Sequence, residues 1–475
     1  MKQIRHRTGA VTEMEQTTAK KNKYEIDMCN GTIMDKLISF SLPLMLSGIL
    51  QLMFNAVDII VVGRFSGSQA LAAVGSTSAL INVFTNLFIG ISLGANVLTA
   101  RFYAAGREKE VSETVHTAIT LALVSGIVMA LVGLVFSKGA LALMGTPDDV
   151  IGLSALYMRI YFLGMPFFML YNYGAAILRA VGDTKRPLLF LMIAGVINAC
   201  LNMVLVIVFK LGVAGVAIAT VISQMISCVL VLRCLCRSES SYRLRFSELG
   251  MKGYYLKQIF SVGVPAGIQS TVINFSNVLL QSSVNSFGST AMAGYTAANN
   301  LLGFLYVSVN SITQACMSFT SQNYGVGKLK RMDRVLADCM ILSVVVGVVL
   351  GCICYGFGPE ILQIYTEDAE VIACGMEILA YTTITYFLCG WMDLFPGALR
   401  GMGYSAVPMV LSVIGTVGTR VVWIFGIFPY HRSLAILFIS YPASWIITII
   451  LQVVCFYFVR RRVHRRSQTP AGQEG

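Results

Sequence analysis

Asp58 is the only formal charge in the first long apolar run, Leu37 to Gly63. Gln51, Asn55 and Asp58 are spaced four and then three residues apart, so on a helix they share one face. A carboxylate at the centre of a bilayer costs about 2.5–3.5 kcal/mol on insertion scales. Such a group normally faces a wet cavity or a partner, and is read first as functional. The plainer reading is a structural carboxylate hydrogen-bonded to a neighbouring helix. At about 1.5 Å per residue the run spans roughly 40 Å, enough to cross a membrane with some tilt.

Polar side chains recur inside the later apolar runs. The first half of the chain has Asn82 and Asn86, then Asn172, then Asn198 and Asn202, then Thr220. The second half has Gln269, Asn274, Asn277, Gln281 and Asn285, then Asn299, Asn300, Asn310 and Gln314, then Asp393 and Arg420. Each buried amide needs a partner, and bonding between helices would satisfy any one of them. The set as a whole is read as lining a hydrated or substrate cavity. Tyr161 belongs to an aromatic stretch, Tyr157 to Tyr173, that suits packing, interface anchoring or a flat cationic ligand. Arg420 is costly in a span without a partner, and Asp393, on the preceding span, is the expected one.

The elements that must position these residues follow from composition. Of 475 residues, 56% are hydrophobic and 12% charged, and mean hydropathy is +0.73. A soluble protein carries about 25% charged residues. The fold class is therefore an all-α membrane protein, because helices satisfy their own backbone in lipid. Twelve spans are expected, near 37–63, 71–98, 115–137, 151–178, 187–209, 212–235, 257–285, 291–319, 335–357, 371–399, 405–428 and 433–459. They form two six-helix units, 36–235 and 256–460, joined by a polar linker, 236–255. Residues 1–35 read as a disordered polar tail and 461–475 as a basic tail.

The net charge of +12 does not indicate nucleic acid, because the basic residues sit at span ends and in tails. The tails and alternate loops carry 29 Lys and Arg, and the remaining loops four. By the positive-inside rule both termini are cytoplasmic. The twelve Cys are scattered, with neither a metal nor a disulfide framework expected. No nucleotide-binding fingerprint or nucleophile elbow is present, and the four His form no catalytic set, so no enzyme is expected.

The chain repeats itself. "TARFYAAG" from residue 99 matches "TSQNYGVG" from 320, and "LRAVGDTKRP" from 178 matches "LRGMGYSAVP" from 399, each 221 residues apart. Pro43 and Pro265 open the first span of each unit. Six spans per repeat preserve the sense of insertion, so the units are parallel repeats with a cavity between them. In the matched turns Arg179 and Arg400 precede Gly182 and Gly403, which permit a tight reversal. These residues are read as structural or gating, as is Pro166, which should kink the fourth span; Pro396 should kink the tenth.

Twelve spans in two parallel sixes, together with "SLPLMLSGILQLMFNAVDIIVVGRFSG", "ALRGMG" and "LRAVGDTKRP", resemble the multidrug and toxic compound extrusion (MATE) family over about residues 32–460. The resemblance implies a V-shaped pair of lobes in a bacterial inner membrane. It implies export of organic cations and amphipathic drugs in exchange for sodium ions or protons, with no other cofactor, by a monomer. The family's amino-terminal cation site would fall on Asp58, Asn198, Asn202 and Thr220, oxygen-bearing groups that suit a hard cation. The second reading is a flippase for lipid-linked saccharides of the same general architecture.

Overall fold

A computed structural model describes residues 24–468; most of them are helical, and no strand occurs among them. The first half crosses as Met34–Phe65, Ser68–Ala104, Glu108–Leu143, the bent pair Asp148–Leu163 and Met165–Ala180, then Lys185–Asn202 extended to Val208, then Gly212–Cys236. The second half crosses as Gly253–Asn285, Ser289–Gly325, Leu329–Gly356, the bent pair Ala369–Thr382 and Tyr386–Gly401, then Ala406 to Ile427, then Leu434–Gln468. These are the twelve passes expected.

Eight of them are long and apolar enough to span a membrane by themselves, and the two bent pairs make ten. The other two, the seventh and eighth passes, are 33 and 37 residues long, so length is not what they lack. Their amides, Asn274 to Asn285 and Asn299 to Gln314, lower their apolarity. A helix tolerates that only where one face is turned away from lipid.

The duplication is visible in the backbone. Gly67 and Gly288, Gly106 and Gly327, and Gly182 and Gly403 are each 221 residues apart, and all six have positive φ. At Gly182 (97°) and Gly403 (92°) the left-handed turn ends one pass and aims the chain at the next, as their spacing implied. Both halves bend at equivalent points, by 47° at Gly164 and by 50° at Thr383–Thr385. Pro166 begins the helix after the first bend. The second bend corrects the expectation for Pro396, which lies inside the unbroken helix Tyr386–Gly401. There the hydroxyls of Thr382, Thr383 and Thr385 bond back to carbonyls four residues earlier and compete with the helix ladder. The bend belongs to the repeat and does not need proline.

The halves meet through the first, second, seventh and eighth passes, at the end where the termini lie. Gly90 and Gly94 of the second pass face Gly263 and Gly267 of the seventh, backbone against backbone. A Cβ at Gly94 would sit 2.2 Å from the Ile259 carbonyl oxygen, and one at Gly90 2.3 Å from Gly267 Cα. Beside this seam Asn96, 1% exposed, donates to the Ala176 carbonyl (2.8 Å) and accepts from Ser318 of the other half (3.1 Å). Ser321 donates to the Val97 carbonyl and Gln322 to that of Ala180. Toward the other end, the same four passes expose polar residues, among them Asn55, Asn82, Asn274 and Asn299. An exposed amide in mid-span is too costly against hydrocarbon, so these groups mark the cleft between the halves.

One expectation for the tails is corrected. Residues 1–23 and 469–475 lie outside the described residues, but residues 24–35 are not a loose tail. Tyr24 to Ile33 cross the closed end as a strap. Met28 is fully buried, and Glu25 accepts hydrogen bonds from Tyr103 of the second pass and Tyr242 of the linker, both 2.7 Å. Burial pushes the Tyr242 hydroxyl up from its ordinary range, which keeps it a donor. From the second half, Asn323, Lys328 and Arg331 donate to strap carbonyls. The polar composition suggested disorder; the folded segment spends those polar groups on both halves. At the other terminus the last helix runs on through the basic cluster to Gln468.

Candidate functional site

The first pass delivers Asp58 to the inner side of its own six-helix unit, half-buried. Asn202 Nδ2 donates to Asp58 Oδ1 and, at 3.1 Å, to Asn198 Oδ1 one turn earlier. Thr220 Oγ1 lies 3.4 Å from Asp58 Oδ2 and also returns a bond to its own helix at Val216. Three passes thus converge on one carboxylate. Asn202 is fully buried and Asn198 5% exposed. The helix changes to π form at Met203, directly after Asn202. Single π turns interrupt the ordinary ladder and commonly occur at functional sites.

The electrostatics are simple. No salt bridge to Asp58 occurs among the described residues, so its neighbours are neutral amide and hydroxyl groups. Asn202 Oδ1 is buried with no hydrogen-bond partner. A buried orphan oxygen beside a carboxylate is a cost unless something with positive charge or a proton occupies the space. The donor set of carboxylate, amide and hydroxyl oxygens is the kind a hard cation such as sodium takes. The described residues hold no group of three or more His, Cys, Asp or Glu that could bind a transition metal.

The other expected cavity residues divide. Gln51, Asn55, Asn82 and Asn299 are exposed on the four passes that border the cleft, and Asn86, Asn277 and Gln281 are partly exposed there. Tyr161 stacks on Tyr157 (6.1 Å, 28°) against Phe162, within the first half. Two are already bonded to protein partners. Asn172 donates to the Phe168 carbonyl of its own helix, and Gln269 is buried, accepting from Arg400 Nη2 at 2.6 Å. Arg400 is accordingly a brace from the tenth pass to the seventh. Its counterpart Arg179 precedes the equivalent turn.

The expected Asp393–Arg420 pair does not form. Arg420 turns to the seventh pass, where Nη1 donates to Asn277 Oδ1 (2.7 Å) and Ser276 Oγ (3.2 Å), and its guanidinium lies over the Tyr441 ring at 4.7 Å. The helix carrying Arg420 is π-wound on both sides, Val413–Gly418 and Trp423–Ile427, which rotates the side chain away from the face that a regular helix would give it. Sequence reasoning also missed the seam. Its signal was present as Gly90-x-x-x-Gly94 and Gly263-x-x-x-Gly267, the spacing that lets helix backbones touch. The strap gave no comparable signal.

Comparison with known proteins agrees with the fold and its duplication. The MatE family profile matches twice, at residues 43–204 and 265–425, once in each half. "Probable multidrug resistance protein YoeA" of Bacillus subtilis (strain 168) is 32% identical over 434 residues, covering 89% of this chain and 93% of that protein. "Multidrug export protein MepA" of Staphylococcus aureus (strain NCTC 8325 / PS 47) is 22% identical over 382 residues, 80% of this chain and 84% of that protein. Among solved structures, "Outward-facing conformation of a multidrug resistance MATE family transporter of the MOP superfamily" superposes with a TM-score of 0.85. It is 19% identical, with 95% of this chain and all of that one covered.

Proposed function

The chain belongs to the MATE family of multidrug efflux transporters, and on that footing we propose that it exchanges sodium ions or protons for organic cations and amphipathic drugs by alternating access. The observation that carries the coupling is Asp58, held by Asn202 and Thr220 with an orphan amide oxygen beside it. The site takes up one positive charge. A sodium ion finds oxygens on Asp58, Asn198, Asn202 and Thr220; a proton needs only Asp58. The unpartnered Asn202 Oδ1 favours sodium.

Neutralising Asp58 removes the reason for its neighbours to donate to it, so the loaded and empty sites favour different arrangements of the first, fifth and sixth passes. That difference is what a coupling ion must supply, because a ligand shifts an equilibrium only by its differential affinity for the two states. The cleft between the halves, with Asn55, Asn82 and Asn299 on its walls, receives the drug. The closed end must then part, which breaks the glycine seam, the Asn96–Ser318 bond and the strap in turn. We place both termini, and with them the closed end, on the cytoplasmic side of a bacterial inner membrane, from the 29 to four split of Lys and Arg. On that reading the conformation described is open to the outside.

The ion is decided by measuring ethidium movement in everted vesicles with sodium and proton gradients imposed separately. A sodium gradient alone should drive transport. Transport under a proton gradient and none under sodium would assign the proton; no transport under either would overturn ion coupling.

A further inference from the structure

The repeat places the second half's residues onto the first half's ion site, and the chemistry there is opposite. At an offset of 222, that of Pro43 and Pro265, Asn55 falls on Asn277 and Asp58 on Leu280; at 221, that of the later passes, Asn198 falls on Thr419, next to Arg420, and Thr220 on Tyr441. These positions also meet in space, since Arg420 bonds Asn277 and lies over Tyr441. The second half has an apolar residue where the first has its carboxylate, and a guanidinium beside the position of Asn198. Arg420 is 3% exposed and makes no ion pair among the described residues. Its contacts are neutral (Asn277, Ser276 and an aromatic face), and its Nε is buried with no partner.

A buried cation without a counter-charge is among the most costly arrangements in a membrane protein. The fold keeps it, and flanks it with two π turns, which interrupt the ordinary ladder and are frequent at functional sites. We propose that this is a binding site for the anionic group of an organic amphipath, a carboxylate or sulfonate, with Arg420 as the counter-charge. Arginine is suited to this, because its planar fork matches a carboxylate and its face stacks on rings. The side chains around Arg420 are aromatic, which suits an anion with an aromatic or apolar body. Tyr441 bonds Tyr295 through the hydroxyls (3.0 Å), and Trp445 packs edge-on against Tyr441 at 5.9 Å. The proposal rests on the efflux reading only for the source of the ligand.

Trp445 makes the site readable without transport. In purified protein carrying Trp391→Phe and Trp423→Phe, emission from Trp445 is titrated with benzoate, with benzyl alcohol as the uncharged control and with sodium chloride. Benzoate should give a saturable change that benzyl alcohol and chloride do not. Arg420→Met should weaken it roughly tenfold or more, as expected for loss of a charged hydrogen-bond partner. Arg420→Lys should retain part of it. Asn277→Asp places an internal anion against Arg420; it should abolish benzoate binding while leaving the fold at least as stable, so a misfolded Arg420→Met would not spare the idea. Equal responses to benzoate and benzyl alcohol, a full response to chloride alone, or unchanged benzoate binding in Asn277→Asp would overturn it. Because no gradient is used, a failure here leaves the efflux reading standing, and a failure of efflux leaves this binding measurable.

Discussion

Replacing Asp58 by asparagine should reduce ion-driven ethidium efflux to the level of vesicles lacking the protein, while the chain still folds and inserts. Asparagine keeps the size of the side chain and an oxygen that accepts from Asn202 and Thr220. What it loses is the charge, and with it the ability to alternate between a loaded and an empty state. A membrane carboxylate held only by neutral donors is expensive, so its removal should not cost stability and can add to it. The expected signature is therefore a protein with normal yield and melting behaviour, and with drug binding retained, that no longer responds to either ion. Undiminished coupled efflux in this variant would remove Asp58 from the mechanism.

Gly94→Leu should abolish efflux by a different route. A Cβ there would lie 2.2 Å from the Ile259 carbonyl oxygen and 3.1 Å from Ile259 Cα, so the obstacle is backbone, which cannot rotate away. The second and seventh passes would have to separate, taking with them Asn96–Ser318 and Ser321–Val97. The closed end could no longer seal, and the transporter would stay open toward the termini. Efflux should fall at least about tenfold, since a population shift of that size costs only about 1.4 kcal/mol and the clash exceeds it. Gly75→Leu, on the same pass with nothing within 4 Å of its Cβ position, is the matched control and should transport normally. Equal activity in the two variants would show that the seam does not form the gate.

The sequence made the architecture legible because membrane physics leaves few choices. Long apolar runs had to be helices, and matched segments 221 residues apart had to be repeated structure. The first half's site was legible for a related reason: a lone carboxylate in a span needs partners, and Asn198, Asn202 and Thr220 are the polar residues its unit offers. Asp393 and Arg420 were misread because opposite charges on adjacent spans suggest a pair. The π turns around Arg420 send it to the seventh pass instead, and no periodicity in the sequence marks a π turn. The bend at Thr383–Thr385 was missed for a similar reason, since proline is the visible signal and here the threonines do the work. The strap was hidden by its composition. A polar segment reads as solvated until the carboxylate of Glu25 and the strap carbonyls are seen to satisfy donors from both halves.

Exchange is the central claim, and it is tested most directly by running the protein with the drug as the driving force. Purified transporter is placed in liposomes with equal sodium and equal pH on both sides, and an ethidium gradient alone is imposed. The account predicts that sodium, or protons if Asp58 titrates instead, will move against their own equilibrium in the direction opposite to ethidium, and that Asp58→Asn will stop this movement. Ethidium crossing with no opposed movement of either ion would contradict it.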